Sequence, residues 1–142
     1  MSTWGVSPRA SVTAECSVRG RPAVVRGCLD LLTGRDLDAS LVRILAGPAA
    51  DWVLDAGPDQ AYWLRVWAAR GLLWVWEDEA ADAIGAALED EAWRVREMAA
   101  KVVARHRVDE ALEAVRRCQG DPVPRVRAAA ERAVVALVSR SD

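Results

Sequence analysis

The sequence predicts an all-α fold, a short α-solenoid of about four antiparallel helical hairpins. An internal repeat runs through the second half of the chain, and its period is the length of two helices and two turns. Within each period, apolar residues recur three and four positions apart, as they do on one face of an α-helix. The chain has 142 residues and is 52% apolar, so it is long enough to bury a core.

The repeat is seen when the chain is aligned with itself. An aspartate recurs at a constant interval, and an arginine follows each aspartate six positions later. These positions are Asp59, Asp90 and Asp121, with Arg65, Arg96 and Arg127. The segment ahead of each block also repeats, since DEAADAI at 78–84 corresponds to DEALEAV at 109–115. The pattern predicts three hairpins, at about 47–76, 78–107 and 109–139.

Each aspartate of the repeat is expected to cap the second helix of its hairpin. A carboxylate in that position accepts hydrogen bonds from backbone N–H groups that have no partner within the helix. The helix that follows would then begin directly after Asp59, Asp90 and Asp121.

The repeat decays toward the N-terminus. Residues 22–33 are expected to form a helix that stops at Gly34, and residues 37–46 a second helix that stops at Gly47. Residues 22–46 therefore predict a degenerate first hairpin, which would cap the open end of the solenoid. Residues 1–20 are rich in Ser, Gly and Arg and are predicted to be a flexible tail, so that the folded domain spans 21–142.

The pattern Asp-x-x-x-x-Val-Arg, followed by small residues, resembles the HEAT-like repeats of bacteria, including the bilin-lyase type. The resemblance covers roughly residues 47–139. It implies that the aspartate and arginine of each repeat link neighbouring repeats by hydrogen bonds. It assigns that structural role to Asp59, Arg65, Asp90, Arg96, Asp121 and Arg127. It also implies a module whose second helices line one face.

The second helices are expected to form the binding face. Trp63, Trp67, Arg70 and Trp74 fall at positions i, i+4, i+7 and i+11, which places them on one stripe of a helix. The corresponding stripes of the next two hairpins are basic and contain Arg94, Lys101, Arg105, Arg125 and Arg132. Residues 77–89 of a first helix instead carry five acidic side chains and no basic one. We therefore predict an aromatic and basic surface for a protein or peptide of acidic character.

Some of the tryptophans on the predicted surface have a second interpretation. Trp67 aligns with Met98 and Ala129, which the helical pattern assigns to the core. Trp63 and Trp74 align with arginines, so these two indoles are expected to be solvated unless the N-terminal hairpin covers them.

The sequence favours a non-catalytic scaffold over an enzyme. His106 is the only histidine, and Cys16, Cys28 and Cys118 form no C-x-x-C pair, so we predict neither a metal nor a cofactor. No nucleophile motif or glycine-rich phosphate loop occurs, and we predict no catalytic residue.

Two other functions are left open by the sequence. The alternative is a nucleic-acid-binding module, in which the basic positions contact phosphates while Trp63 or Trp74 stacks on bases. The third is an enzyme similar to the alkylpurine DNA glycosylases with HEAT-like folds, which combine Trp and Arg with a catalytic carboxylate. Glu97 is the closest candidate for that carboxylate, and its helical phase points beside the stripe.

The cysteine content and the hydropathy indicate a compartment. An odd number of cysteines argues against a disulfide framework and favours the reducing cytoplasm. No apolar run approaches the length of a membrane span, and the first ten residues contain no apolar signal region. We predict a cytoplasmic protein with no membrane partner, and the oligomeric state is left open.

Overall fold

The computed structural model describes residues 6–139, and the regular secondary structure within this range is entirely helical. The helices are α1 (Pro8–Arg19), α2 (Arg21–Thr33), α3 (Ala39–Ala46), α4 (Ala49–Asp55), α5 (Tyr62–Gly71), α6 (Ala81–Ala87), α7 (Trp93–His106), α8 (Leu112–Cys118) and α9 (Pro124–Val138). Short 3-10 helices span Pro58–Gln60, Asp78–Ala80 and Asp109–Ala111. The predicted all-α fold is confirmed. None of the helices within residues 6–139 combines the length and the apolar character needed to cross a lipid bilayer.

The chain divides into two compact units, the first ending at Glu77 and the second beginning at Asp78. Helices α1–α5 belong to unit 1, and helices α6–α9 belong to unit 2. The predicted repeats at 47–76, 78–107 and 109–139 contain the pairs α4–α5, α6–α7 and α8–α9, respectively. The division between the units therefore falls between two repeats, where the sequence predicts a single continuous domain.

Unit 1 is built around α2 and α5, which pack against each other, with α3 against both α1 and α5. Its fully buried side chains include Val24, Val25, Cys28, Leu41, Leu45 and Leu72. Gly71 allows the close approach of α5, because a Cβ at this position would lie 2.7 Å from Leu45 Cδ2 and 3.3 Å from Cys28 Sγ.

The structure corrects the prediction of a flexible tail at residues 1–20, because Pro8–Arg19 form α1. The Ser7 side chain caps this helix by accepting a hydrogen bond from the Ala10 backbone N–H at 3.1 Å, and Pro8 occupies the first turn. Val12 is completely buried, so α1 contributes to the core of unit 1. Residues 1–5 of the predicted tail lie outside the described residues.

The C-terminus of α3 is satisfied by side chains from two other helices. The last carbonyls of a helix have no partner within it. The Ser11 hydroxyl, on α1, donates to the Ile44 carbonyl oxygen at 2.7 Å. The Arg70 guanidinium, on α5, donates from Nη2 to the Leu45 carbonyl oxygen at 2.6 Å. Three helices of unit 1 are thereby joined at one helix end.

Unit 2 has α7 and α9 packed along each other, with α8 against α9 and α6 against α7. Its fully buried side chains include Ile84, Val95, Val102, Val103, Val115 and Val126. Val95, Val102 and Val103 follow the helical spacing of the apolar residues, and all but two of the six lie on the second helix of a hairpin.

The expected capping by the repeat aspartates is corrected in detail. The Asp90 carboxylate accepts from the Ala92 N–H at 2.8 Å, and the Asp121 carboxylate accepts from the Val123 N–H at 2.9 Å. Ala92 and Val123 are extended and immediately precede α7 and α9, so each aspartate closes the turn ahead of its helix. Asp59 differs again, because it is exposed and lies within a 3-10 helix.

Candidate functional site

The two hairpins of unit 2 are linked by an ion pair between Arg96 and Asp121. Arg96 Nε donates to Asp121 Oδ2 at 2.7 Å, and Arg96 Nη2 donates to Asp121 Oδ1 at 3.1 Å. The side chains are 16% and 7% exposed, so water competes little with either contact. A two-pronged contact of this kind fixes the position as well as the charge of the carboxylate.

The two arginines of unit 2 are also anchored to their own repeats. Arg96 Nη1 donates to the Asp90 carbonyl oxygen at 2.7 Å, and Arg127 Nη1 donates to the Asp121 carbonyl oxygen at the same distance of 2.7 Å. The two hairpins thus hold their arginines in the same way. In unit 1, Arg65 is half-buried on α5.

The ion pair between Arg96 and Asp121 perturbs both ionisations. Burial acts to raise the pKa of Asp121, but the hydrogen bonds from Arg96 and from the Val123 N–H outweigh it, so the pKa lies below its ordinary value. The hydrogen bond to Asp121 raises the pKa of Arg96. Both groups are therefore charged at neutral pH.

A second cluster in unit 2 centres on Trp93, the first residue of α7. The guanidinium carbon of Arg94 lies 4.4 Å from the Trp93 ring centroid, and that of Arg125 lies 5.2 Å from it. Both distances are within the range of cation–π attraction. Two cations from successive second helices therefore lie against one indole. The binding face predicted from the sequence includes the neighbouring Arg94 but not Trp93.

Glu97 lies beside this cluster and is 6% exposed. Its Oε2 atom accepts from Arg125 Nε at 3.1 Å and lies 3.6 Å from Lys101 Nζ. A buried carboxylate is tolerated only when it is paired, and these two cations supply the pairing. The contact also restrains Arg125, whose side chain is otherwise 65% exposed.

The basic residues predicted on the second helices of unit 2 differ in their exposure. Arg105, Arg125 and Arg132 are exposed, and Arg94 and Lys101 are half-buried. Lys101 and Arg125 share Glu97, so part of the positive charge predicted here is neutralised within the unit.

The aromatic stripe predicted in unit 1 is not an exposed ridge. Trp67 is 6% exposed, so the structure favours the core interpretation of this residue over a contact with a partner. Trp63 is half-buried, with its ring centroid 5.2 Å from that of Tyr62 and 6.1 Å from that of Trp67. The three rings on α5 therefore contact one another in sequence order, from Tyr62 to Trp63 to Trp67.

Arg70 and Trp74, two further residues of the predicted stripe, are placed differently from the expectation. The Arg70 side chain turns inward to the Leu45 carbonyl, and its Nε atom is buried without a hydrogen-bond partner. Burial lowers the pKa of Arg70. Helix α5 ends at Gly71, so Trp74 lies in the following turn and is half-buried. The prediction had extended α5 by one turn.

Trp52 is an exposed indole that lies outside the surface predicted from the sequence. It lies on α4 and is 58% exposed. Its neighbour Asp51 pairs with Arg43 at 3.2 Å.

The structure offers no centre for metal or thiol chemistry in the described part of the chain. Residues 6–139 contain no group of three or more His, Cys, Asp or Glu side chains arranged to hold a metal ion. Cys16, Cys28 and Cys118 are free thiols. Burial raises the pKa of Cys28 to about 12, which keeps it protonated and unreactive at neutral pH.

Comparison with known proteins identifies a repeat family. Residues 50–134 match a family model described as HEAT repeats, and this range is more than half of the chain. It begins in α4 and ends in α9, so it includes the hairpins α6–α7 and α8–α9. No curated protein and no solved structure matches the chain.

Proposed function

This chain belongs to the HEAT-repeat family, whose members commonly mediate protein interactions, and on that premise we propose that it is a non-catalytic scaffold that binds a protein or peptide partner of acidic character. The binding surface we propose is the face formed by the second helices of unit 2, with Arg94, Lys101, Arg105, Arg125 and Arg132 as its cations. Trp93 is added to this surface, whereas Trp63 and Trp74 lie on unit 1 and are not part of it.

The observation that carries the proposal is the contact of Trp93 with the guanidinium groups of both Arg94 and Arg125. An indole flanked by guanidinium groups offers both apolar area and hydrogen-bond donors, which is the combination enriched where proteins bind each other. Because Glu97 already restrains Arg125 through its Nε atom, less side-chain entropy is lost when the outer nitrogens of Arg125 engage a carboxylate.

The charge of this surface supports an acidic partner. One carboxylate, Glu97, is shared by Lys101 and Arg125, so these three groups together carry an excess of one positive charge. Arg105 and Arg132 are exposed and add further positive charge. Charges of this kind steer a partner of opposite sign and select against one of like sign.

A charge reversal with a matched control tests the proposal. The double variant Arg105→Glu and Arg132→Glu changes the proposed surface, and Arg116→Glu with Arg117→Glu makes the same change of charge on exposed residues of α8. Both chains, and the unchanged chain, are used to capture proteins from the cells that make this protein. The proposal expects a captured protein that the α8 control retains and the double variant loses. Loss by both variants, or retention by both, would contradict it.

Nucleic acid is the alternative partner, and its backbone would be recognised by the same cations. Phosphate contacts release counterions, so affinity falls steeply as the salt concentration rises. Labelled duplex and single-stranded oligonucleotides in an anisotropy titration distinguish the two cases. Glu97 neutralises part of the basic surface, which favours a protein partner over nucleic acid. We therefore expect that this chain shows no measurable binding to the oligonucleotides, even at low salt.

An enzyme of the DNA glycosylase kind would need a carboxylate that can reach its substrate. The Glu97 carboxylate is buried and is held by two cations, which supports a positioning role for it rather than a catalytic one. We therefore propose that the chain carries no catalytic residue. Excision of an alkylated base from duplex DNA, lost in Glu97→Gln, would overturn this.

Two finer assignments complete the proposal. The Asp-x-x-x-x-Val-Arg pattern supports a place among bacterial repeats of the bilin-lyase type, which a tree of related sequences would test. Three free cysteines support a reducing compartment, the cytoplasm, and fractionation of the native cells would test that location.

A further inference from the structure

The outward side of α9 repeats a surface that is covered in α7. Arg96, Glu97, Ala100 and Ala104 of α7 correspond, one repeat later, to Arg127, Ala128, Glu131 and Val135 of α9. On α7, Glu97 and Ala100 are buried and the other two positions are half-buried, with α9 packed along this helix. On α9, all four positions are exposed. We call these four residues and Val138 the α9 outer face.

Arg127 is held on this face in the conformation that Arg96 adopts in the preceding repeat. Both arginines donate from Nη1 to the carbonyl oxygen of their own repeat aspartate, at 2.7 Å in each case. Arg96 uses its remaining donors, Nε and Nη2, on the carboxylate of Asp121 in the next hairpin. Among residues 6–139, no carboxylate meets the corresponding donors of Arg127. The arginine donors that would receive an aspartate are therefore present on α9, and no aspartate of the described residues occupies them.

The apolar part of the α9 outer face is also uncovered. Val135 is 53% exposed and Val138 is 56% exposed, and the two residues are three positions apart on one side of the helix. In the preceding repeat the same positions are Ala104 and Arg107, so this part of the α9 outer face carries more apolar area than its counterpart. A helix side that only faces water is expected to be polar. The valines and Ala128 do not fit that expectation.

We propose that the α9 outer face is a docking surface for a helical hairpin of another protein that presents an aspartate in the turn ahead of its second helix. The hairpin α8–α9 shows what such a partner provides. Asp121 receives Arg96, and the buried Ala129, Ala130 and Ala133 supply a flat side to α9. Small residues let two helices approach closely, and the ion pair fixes their register.

A second copy of this chain does not supply the required aspartate. Asp121 is already paired with Arg96, and Asp90 both closes its own turn and makes a further interaction within the chain. Asp59 lies within a 3-10 helix and so lacks the extended turn that presents Asp121 to Arg96. Glu131 adds a further condition, because it stands where α7 has Ala100. A partner would therefore place a basic or amide side chain opposite Glu131, which now accepts from Gln119 Nε2 at 2.9 Å.

An appended repeat tests whether the surface accepts such a hairpin. A copy of residues 109–139 is joined directly after Ser139. The aspartate of the copy then lies as far after Asp121 as Asp121 lies after Asp90. Hydrogen exchange of the full extended chain is then followed by mass spectrometry. We expect the second helix of the copy to be protected from exchange by at least an order of magnitude relative to an unfolded segment. A copy that exchanges as an unfolded segment, while α9 stays protected, would overturn the proposal.

Two single changes test the role of the ion pair. The first change is Arg127→Gln in the original part of the chain. The second change is made in the copy, where Asn replaces the aspartate that corresponds to Asp121. Either change is expected to remove most of the protection of the copy, and the two together are expected to remove little more, because both break the same contact. Protection that persists in both variants would show that apolar burial alone holds the copy, and the aspartate requirement would be wrong. Exchange within the original chain, measured without the copy, checks that Arg127→Gln leaves it folded.

The outcome is separable from that of the proposed function. None of the residues on the α9 outer face belongs to the basic surface of unit 2, so the charge reversals at Arg105 and Arg132 leave this experiment unaffected.

Discussion

Arg96 donates to both carboxylate oxygens of Asp121, although 25 residues separate them in the sequence. The arginine lies on α7 and the aspartate in the turn ahead of α9, so the contact joins one hairpin of unit 2 to the next. It is the contact that the family resemblance implies for the repeat aspartates and arginines. Its burial makes it a stability determinant that can be measured directly.

Replacing Asp121 by Asn is expected to destabilise the protein by about 3 kcal/mol, because Arg96 would remain buried without its counter-charge. Urea unfolding followed by circular dichroism measures the change. Arg96→Gln combined with Asp121→Asn should cost less than the sum of the two single changes. The control is Glu89→Gln, which breaks the exposed pair with Arg117 (3.6 Å) and is expected to cost less than about 1 kcal/mol. Equal losses for the control and Asp121→Asn would contradict the assignment.

The stability of unit 1 is expected to fall at acid pH through Asp38. The hydrogen bond from Arg19, at 2.7 Å, and that from Ser40 lower the pKa of Asp38 to about 2. In the unfolded chain the pKa returns to about 3.9. The stabilisation is therefore complete above pH 4 and is lost as the pH falls toward 2. Thermal unfolding between pH 6 and pH 2 measures it, and Asp38→Asn should flatten this part of the profile. An unchanged profile in that variant would show that other carboxylates dominate.

Two tryptophans are expected to respond in opposite ways to truncation. Trp67→Ala should destabilise unit 1 by about 3–5 kcal/mol, because a large buried ring is removed from the core. Trp52→Ala should change the stability by less than about 0.5 kcal/mol, because its indole is exposed. Denaturant titration gives both numbers. Quenching of tryptophan fluorescence by acrylamide should decrease in Trp52→Ala, and an increase there would contradict the exposure of this side chain.

Neutralising Glu97 is expected to strengthen binding to polyanions. In Glu97→Gln, both Lys101 and Arg125 lose their shared carboxylate, so two cations become available to an external anion. The variant should elute from a heparin column at higher salt than the unchanged chain. Glu113→Gln, at an exposed residue of α8, makes the same change in net charge away from the cluster and should elute close to the unchanged chain. Equal shifts for the two variants would indicate a general charge effect only.

The repeat made the fold predictable from the sequence. A constant interval between the repeat aspartates, with helical spacing inside it, fixes the number and approximate length of the helices from residue 47 onward. The N-terminal helix α1 was missed because its apolar signal is weak. Within Pro8–Arg19 only Val12 is buried, and the helix is held by polar contacts such as Arg19 with Asp38 and Glu15. Such contacts depend on which helix lies next to α1, and a short segment of sequence does not show that.

The candidate site was predicted only in part, and for a similar reason. Helical phase gave the positions of Arg105 and Arg132, which are exposed. Phase could not show that Arg70 reaches the end of α3, because the side chain is long enough to turn to either side of its helix. Glu97 was assigned beside the basic stripe, and its pairing with Lys101 and Arg125 appears only when α7 and α9 are side by side.

The hydrogen bonds at the C-terminus of α3 limit where the chain can be truncated. The composition alone would recommend a truncated chain starting at residue 21, which discards Ser11 and leaves the Ile44 carbonyl without its donor. The same cut removes Val12 from the core and Arg19 from Asp38. A chain truncated for expression or crystallisation should therefore begin ahead of Ser7, so that α1 is kept together with the rest of unit 1.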